Sequence, residues 1–158
     1  MGGSFNRYTA KANYIDENKD YCRTNYSDLL CCNSGTTCFL YVNIDVFKNV
    51  GLMDEDYFVY YDDTDFLIRC ENKGYLVDIF PRLSLKHFHG ASSGGGLSKF
   101  SIYELTKNRI ILIRKNFSLL QKLTAFTYVF FTRFILILIS KNRLIYIRGI
   151  KDGFAKEI

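Results

Sequence analysis

The pattern of apolar and polar positions divides the chain into an unpatterned start, a middle of short alternating elements and a long apolar end. Residues 1–28 are polar and turn-rich and show no period, so irregular structure is expected through about residue 33. Thr37–Val42 is a short β-prone apolar run, which predicts a buried strand. Asn43–Val50 predicts a short helix with Asn43 as its N-cap and Gly51 just past its end. A second helix is predicted over Thr64–Asn72, ended by Gly74, followed by a strand over Tyr75–Phe80 that Pro81 stops. Leu83–Phe88 alternates as a half-buried strand does, and Gly90–Gly96 predicts a mobile loop. Without a Gly-Lys-Ser/Thr ending that loop does not qualify as a P-loop. Helices are predicted from Ser101 to about Lys115 and over about residues 118–140. The expected fold class is α/β, a mixed sheet with flanking helices over residues 1–115, with apolar helices over 116–158.

Charge sharpens the division. The chain of 158 residues carries a net +5, but residues 1–100 hold 10 Lys/Arg against 13 Asp/Glu and residues 101–158 hold 11 against 3. The bases of the second part are spread through an aliphatic run rather than clustered on a polar face, which argues against nucleic acid as a partner. A membrane surface accounts for both the charge and the apolarity. On a helical projection Lys115, Lys122, Arg133 and Ser140 fall within about 20° of one line. A central arginine costs roughly 2.5–3.5 kcal/mol in a bilayer, so the helix is expected to lie in the interface with its bases snorkelling to lipid phosphates. The competing reading is a helix buried against another part of the protein. The five cysteines (Cys22, Cys31, Cys32, Cys38 and Cys70) form no C-x-x-C pair and read as reduced, structural thiols rather than zinc ligands.

The densest chemistry lies in Asn49–Arg69. Its first seventeen positions hold six acids, four aromatics and no base. Neighbouring carboxylates repel and resist burial, so Asp62, Asp63 and Asp65 among large apolar side chains point to a general base or to a hard divalent cation. A solvated acidic turn at a helix start is the plainer alternative. Asp65 and Arg69 stand four apart on the predicted helix and can pair.

Gly51-x-x-Asp54-Glu55-x-Tyr57-Phe58-x-Tyr60-x-Asp62-Asp63-x-Asp65-x-x-x-Arg69 resembles the acceptor-side motif of family 2 glycosyltransferases, inverting enzymes of the GT-A fold. Asp62 replaces the usual glutamate and Tyr57 a phenylalanine. In the same order come Gly35 before a strand, Val46-Phe47-x-x-Val50-Gly51, Gly74-Tyr75, Pro81, His87-x-x-Gly90-x-Ser92, Asn108-Arg109 in reversed order, and a rhamnosyltransferase-like Gly149-x-x-Asp152-Gly153.

The resemblance implies that Asp63 is the catalytic base, that Asp62, with Asp65 and Arg69, shapes the acceptor pocket, and that His87 helps hold a divalent cation, Mn²⁺ or Mg²⁺, on the donor. His89 is the competing metal ligand, and Gly90 and Ser92 belong to a loop over the donor. The implied partners are a nucleotide-sugar donor, a lipid-linked saccharide acceptor and a membrane surface. The implied location is cytoplasmic, peripheral on the inner face of the cell membrane. No stretch of 1–33 resembles the family's donor-binding βαβ region with its Asp-x-Asp. The chain is therefore expected to be the C-terminal, acceptor-side half of a GT-A fold, inactive by itself. The rival function is a non-enzymatic, membrane-peripheral binding module.

Overall fold

The computed structural model describes residues 3–14, 30–80, 83 and 98–158. In chain order the elements are β1 (Gly3–Asn6), β2 (Lys11–Tyr14), β3 (Leu30–Cys32), α1 (Ile44–Val50), α2 (Asp62–Asn72), β4 (Val77–Ile79), α3 (Lys99–Asn116), α4 (Leu119–Ile139) and α5 (Arg143–Ala155). β1 pairs with β2 and β3 with β4, the latter antiparallel with Cys31 opposite Asp78. Helices and small sheets thus coexist as expected, but each described sheet has two strands rather than forming one larger mixed sheet. The chain divides into two compact units, one made of Met1–Phe5, Lys11–Asp54 and Asp62–His87, the other of Asn6–Ala10, Glu55–Tyr61 and Phe88–Ile158.

The first unit is organised by one face of α2. Phe66, Leu67 and Cys70 are buried, and Leu40, Val42, Val46, Phe47, Val50, Met53, Tyr75 and Val77 pack around them. Phe47 stacks on Phe66 with ring centroids 5.3 Å apart. α1 begins as its sequence predicts: the Asn43 side chain accepts from the Asp45 amide, and the chain leaves the helix at Gly51 with φ 93°. That left-handed geometry is cheap only for glycine. The expected strand over Thr37–Val42 is corrected. The run opens in a 3-10 turn, Thr37–Phe39, then continues extended. Leu40 and Val42 reach the core while Phe39 and Tyr41 are 66% and 96% exposed, so the alternation is satisfied without strand pairing. β1 and β2, four residues each, correct the expectation of an irregular start. The expected strand over Leu83–Phe88 lies outside the described residues, apart from Leu83.

The second unit is built on α3, in which Ile110, Ile111, Leu112 and Ile113 are all buried. A helix buried on every side needs close neighbours, and α5 supplies one through two glycines. A Cβ on Gly149 would stand 3.0 Å from Thr106 Cβ, and one on Gly153 would stand 2.8 Å from the Lys107 carbonyl and 2.9 Å from Ile110 Cβ. The Gly149–Gly153 spacing therefore brings the two backbones together. Polar contacts fix the pairing: the Tyr103 hydroxyl donates to Asp152 Oδ2 at 2.7 Å, and Arg114 Nη1 donates to the carbonyls of Gly153 and Lys156 near the end of α5. Those carbonyls carry the negative end of the helix dipole, which a guanidinium offsets. Asp56 ties its own segment to both helices by accepting from Lys115 and Lys156, and these two ammonium groups hold its carboxyl below the usual range.

α4 starts with a full capping box between Ser118 and Gln121. Ala125 and Val129 are buried, one helical turn apart. Arg133 continues their line and lies 5.5 Å over the Tyr146 ring of α5. The polar line of this helix consequently faces protein at Arg133, which corrects the expectation that this arginine snorkels outward to lipid. The opposite face exposes Leu120, Leu123, Phe131, Phe134 and Leu138. Leu119–Ile139 is long and apolar enough to cross a bilayer, and only 11% of its apolar window is buried.

The close glycine contact leads to a test of the fold. Gly153→Ala forces a methyl group against backbone and should cost about 1–3 kcal/mol, the usual size of overpacking. Chemical denaturation of the chain measures it, and a change within about 0.5 kcal/mol, as at neutral surface positions, contradicts the packing.

Candidate active site

Three carboxylates enter the first turn of α2: Asp62, Asp63 and Asp65. A helix N-terminus favours negative charge, which explains why an acidic run starts this helix at all. The three then meet different surroundings. Asp65 is 1% exposed and accepts from Arg69 Nε at 2.8 Å. The same guanidinium donates from Nη1 to the Val50 carbonyl at 3.1 Å and from Nη2 to the Leu52 carbonyl at 2.9 Å. Arg69 therefore neutralises the buried acid and fastens the chain that leaves α1. It also lies over the Phe66 ring, 5.5 Å from its centroid.

Among the described residues no cation meets Asp63. Its Oδ1 accepts from the Thr64 amide at 2.7 Å and from the Thr64 hydroxyl at 3.2 Å, and the carboxylate also takes a backbone hydrogen bond from Thr37. Burial pushes its pKa above the ordinary carboxylate value, the charge of Asp62 pushes it further, and these hydrogen bonds recover only part. A carboxylate with a raised pKa and fixed geometry is a suitable acceptor for a hydroxyl proton. Asp62 is half-buried beside it. Sequence reasoning missed Thr37 and Thr64, because their contribution depends on how the 3-10 turn reaches the helix start.

Just before α2 the backbone turns through Tyr60 and Tyr61 at φ 64° and 70°. Bulky residues rarely adopt this region, and each costs on the order of 1–3 kcal/mol. Within the second unit the strain is held by Asn108, whose Nδ2 donates to the carbonyls of Val59 at 2.7 Å and Tyr60 at 3.2 Å. The Tyr60 hydroxyl bonds Ser101 Oγ at 3.0 Å. The neighbouring Arg109 donates from Nη2 to the Thr9 carbonyl at 2.9 Å. The Asn-Arg pair picked out in the sequence is thus a backbone fastener.

His87, its rival His89, Gly90 and Ser92 lie outside the described residues. Among the described residues no three His, Cys, Asp or Glu side chains converge on a metal site. Asp65 is committed to Arg69, so the cation reading of the acidic cluster loses one ligand.

The raised pKa of Asp63 has a thermodynamic consequence. Above its folded pKa the ionised group destabilises the native state; the penalty shrinks as pH falls through that value and vanishes below the ordinary carboxylate pKa. Asp63→Asn should therefore raise the thermal midpoint at neutral pH, with the gain fading in acid. A midpoint that falls at neutral pH, or a gain that does not change with pH, contradicts the assignment.

No known protein-family profile matches the chain, and no solved structure matches it. Among curated proteins it is similar to the dTDP-rhamnosyl transferase RfbF of Shigella flexneri, 31% identical over 134 residues. The matched region is 80% of this chain and 44% of that protein, so the chain spans less than half the length of its relative. The similarity supports a relationship to glycosyltransferases that runs through both compact units.

Proposed function

We propose that this chain is the acceptor-side part of an inverting family 2 glycosyltransferase of the GT-A fold, acting in surface polysaccharide synthesis. The observation that carries the proposal is the division of labour at the start of α2, where Asp65 is neutralised by Arg69 while Asp63, among the described residues, meets no cation and has a raised pKa. The similarity to a rhamnosyl transferase supports it independently. In this reading Asp63 takes the proton from the acceptor hydroxyl as that hydroxyl's oxygen attacks the anomeric carbon of the donor, the bond to the nucleoside diphosphate breaks and the diphosphate leaves, and Asp62 lines the acceptor pocket. The attack is in line, so the configuration inverts. Most of the donor site belongs to a part of the enzyme outside these 158 residues, so the chain alone is expected to bind a donor weakly and to transfer no sugar. A divalent cation, Mn²⁺ or Mg²⁺, on the donor diphosphate is assigned to His87, with His89 as runner-up. The described residues do not form a site for it, so no step is carried by it here. The loop containing Gly90 and Ser92 is assigned to the donor.

The same reading places the chain on the inner face of the cell membrane, with a lipid-linked saccharide as acceptor. The broad outward apolar face of α4 supports this, as do exposed bases at Lys141, Arg143 and Lys151 beyond its end. An anionic leaflet attracts such bases by about 1 kcal/mol each, a contribution that salt screens.

Two tests follow from this reading. In a chain joined to a donor-binding half, Asp63→Asn should lower transfer by about 10²–10⁴-fold, the typical size of a general-base effect. Near-normal turnover removes Asp63 from the chemistry. Separately, the chain should co-sediment with anionic vesicles at low salt and release at high salt. Retention through both salt and alkaline carbonate means that α4 spans, and absence from the pellet means that its apolar face is covered by protein.

A further inference from the structure

Among the described residues, two arginines of the second unit lack the anionic partners that cations withdrawn from water require. Arg109 of α3 is 8% exposed; it gives one hydrogen bond, to the Thr9 carbonyl, and its guanidinium lies 5.9 Å over the Tyr128 ring. Arg133 of α4 lies over the Tyr146 ring. The Nε atoms of both are buried and have no acceptor. Among the described residues neither arginine forms an ion pair. The nearest acid in sequence on α3, Glu104, is bound at 2.7 Å by Lys107 and accepts from Asn108. Arg133 feels the charge of Arg109, and burial together with that repulsion lowers its pKa, while Tyr61, Tyr128 and Tyr146 offset part of the effect.

Packing does not explain this arrangement. Arg109 is buried and Arg133 half-buried, and like charges withdrawn from water in this way destabilise a fold unless an anion meets them. A tyrosine face contributes roughly 0.5–2 kcal/mol per cation, less than the effective penalty of several kcal/mol for each buried ion. Guanidinium forks match the oxygens of a phosphate ester in pairs, and an unmet Nε is one tooth of that fork.

We propose that Arg109 and Arg133 form a binding site for the phosphate or diphosphate group of a ligand. The choice of a phosphate ester over other anions rests on the transferase reading above. Two ligands of that reaction carry the group: the lipid-linked acceptor and the nucleoside diphosphate. The site would hold either by charge-assisted hydrogen bonds to both guanidinium groups.

The test uses the full chain with three probes: inorganic pyrophosphate, thymidine diphosphate, and farnesyl diphosphate in phosphatidylcholine vesicles. Pyrophosphate should bind in calorimetry and raise the thermal midpoint. Arg133→Gln should weaken that binding about tenfold or more, yet leave the midpoint without anion unchanged or higher, because a repelling charge is gone. Arg133→Lys should bind with intermediate strength. Protection by the vesicle probe alone assigns the site to the acceptor, and protection by the nucleotide alone assigns it to the leaving group. If none of the probes binds, or if Arg133→Gln lowers the midpoint and leaves pyrophosphate binding intact, the arginines are structural and the proposal fails. Asp63-dependent transfer surviving that failure leaves the transferase reading standing.

Discussion

The pairing of Asp65 with Arg69 is the constraint around which the first unit is arranged. A helix that starts with three carboxylates gains from its dipole but cannot bury them all without a counter-charge. One guanidinium meets the deepest carboxylate and, with its remaining donors, holds the carbonyls of Val50 and Leu52. This fixes where the chain leaves α1 and lets Phe66, Leu67 and Cys70 form the core on the same helix. Asp63, two residues earlier, is left among the described residues with hydroxyl and amide donors only. One pairing thus stabilises the fold and leaves a basic carboxylate at the helix start.

The second unit shows another compromise between stability and use. Gly149 and Gly153 bring α5 onto α3, and the contact is reinforced by Tyr103–Asp152 and by Arg114 at the end of α5. α4 then turns Arg133 toward Tyr146 of α5 and leaves Leu120, Leu123, Phe131, Phe134 and Leu138 exposed. In water that is the reverse of an amphipathic surface helix, and exposed apolar area of this kind marks an interaction site. Strain at Tyr60 and Tyr61, held by Asn108, adds a further cost that packing alone does not require.

How much the sequence disclosed depended on whether the signal was local. The Asn43 cap, the Gly51 exit and the Ser118 start of α4 were legible because each is a single residue's chemistry acting on its own backbone. The pairing of Asp65 with Arg69 was legible because helical spacing alone sets it. The run Thr37–Val42 misled because a short alternating segment packs the same face onto a core with or without a neighbouring strand. Within the apolar helices expected over 116–158 the bounds of α5 were not marked, because two glycines lower its helix propensity, while the contact with α3 that repays them is long-range. At the site, Asp63 stood out as an acid among aromatics, but Thr37 and the strained tyrosines did not, since a 3-10 turn and positive φ leave no mark in composition. Arg133 was assigned to lipid because its projection showed the stripe without showing which side faced protein.

The account rests on Asp63 being a carboxylate held unneutralised and ready to accept a proton. The most direct measurement is a carbon-detected NMR titration of side-chain carboxyl groups, with Asp63 assigned through Asp63→Asn. The account predicts that Asp63 titrates clearly above the ordinary aspartate value, and that Asp62→Asn lowers it by removing the neighbouring charge. An Asp63 that titrates at or below the ordinary value, unaffected by Asp62→Asn, would contradict it.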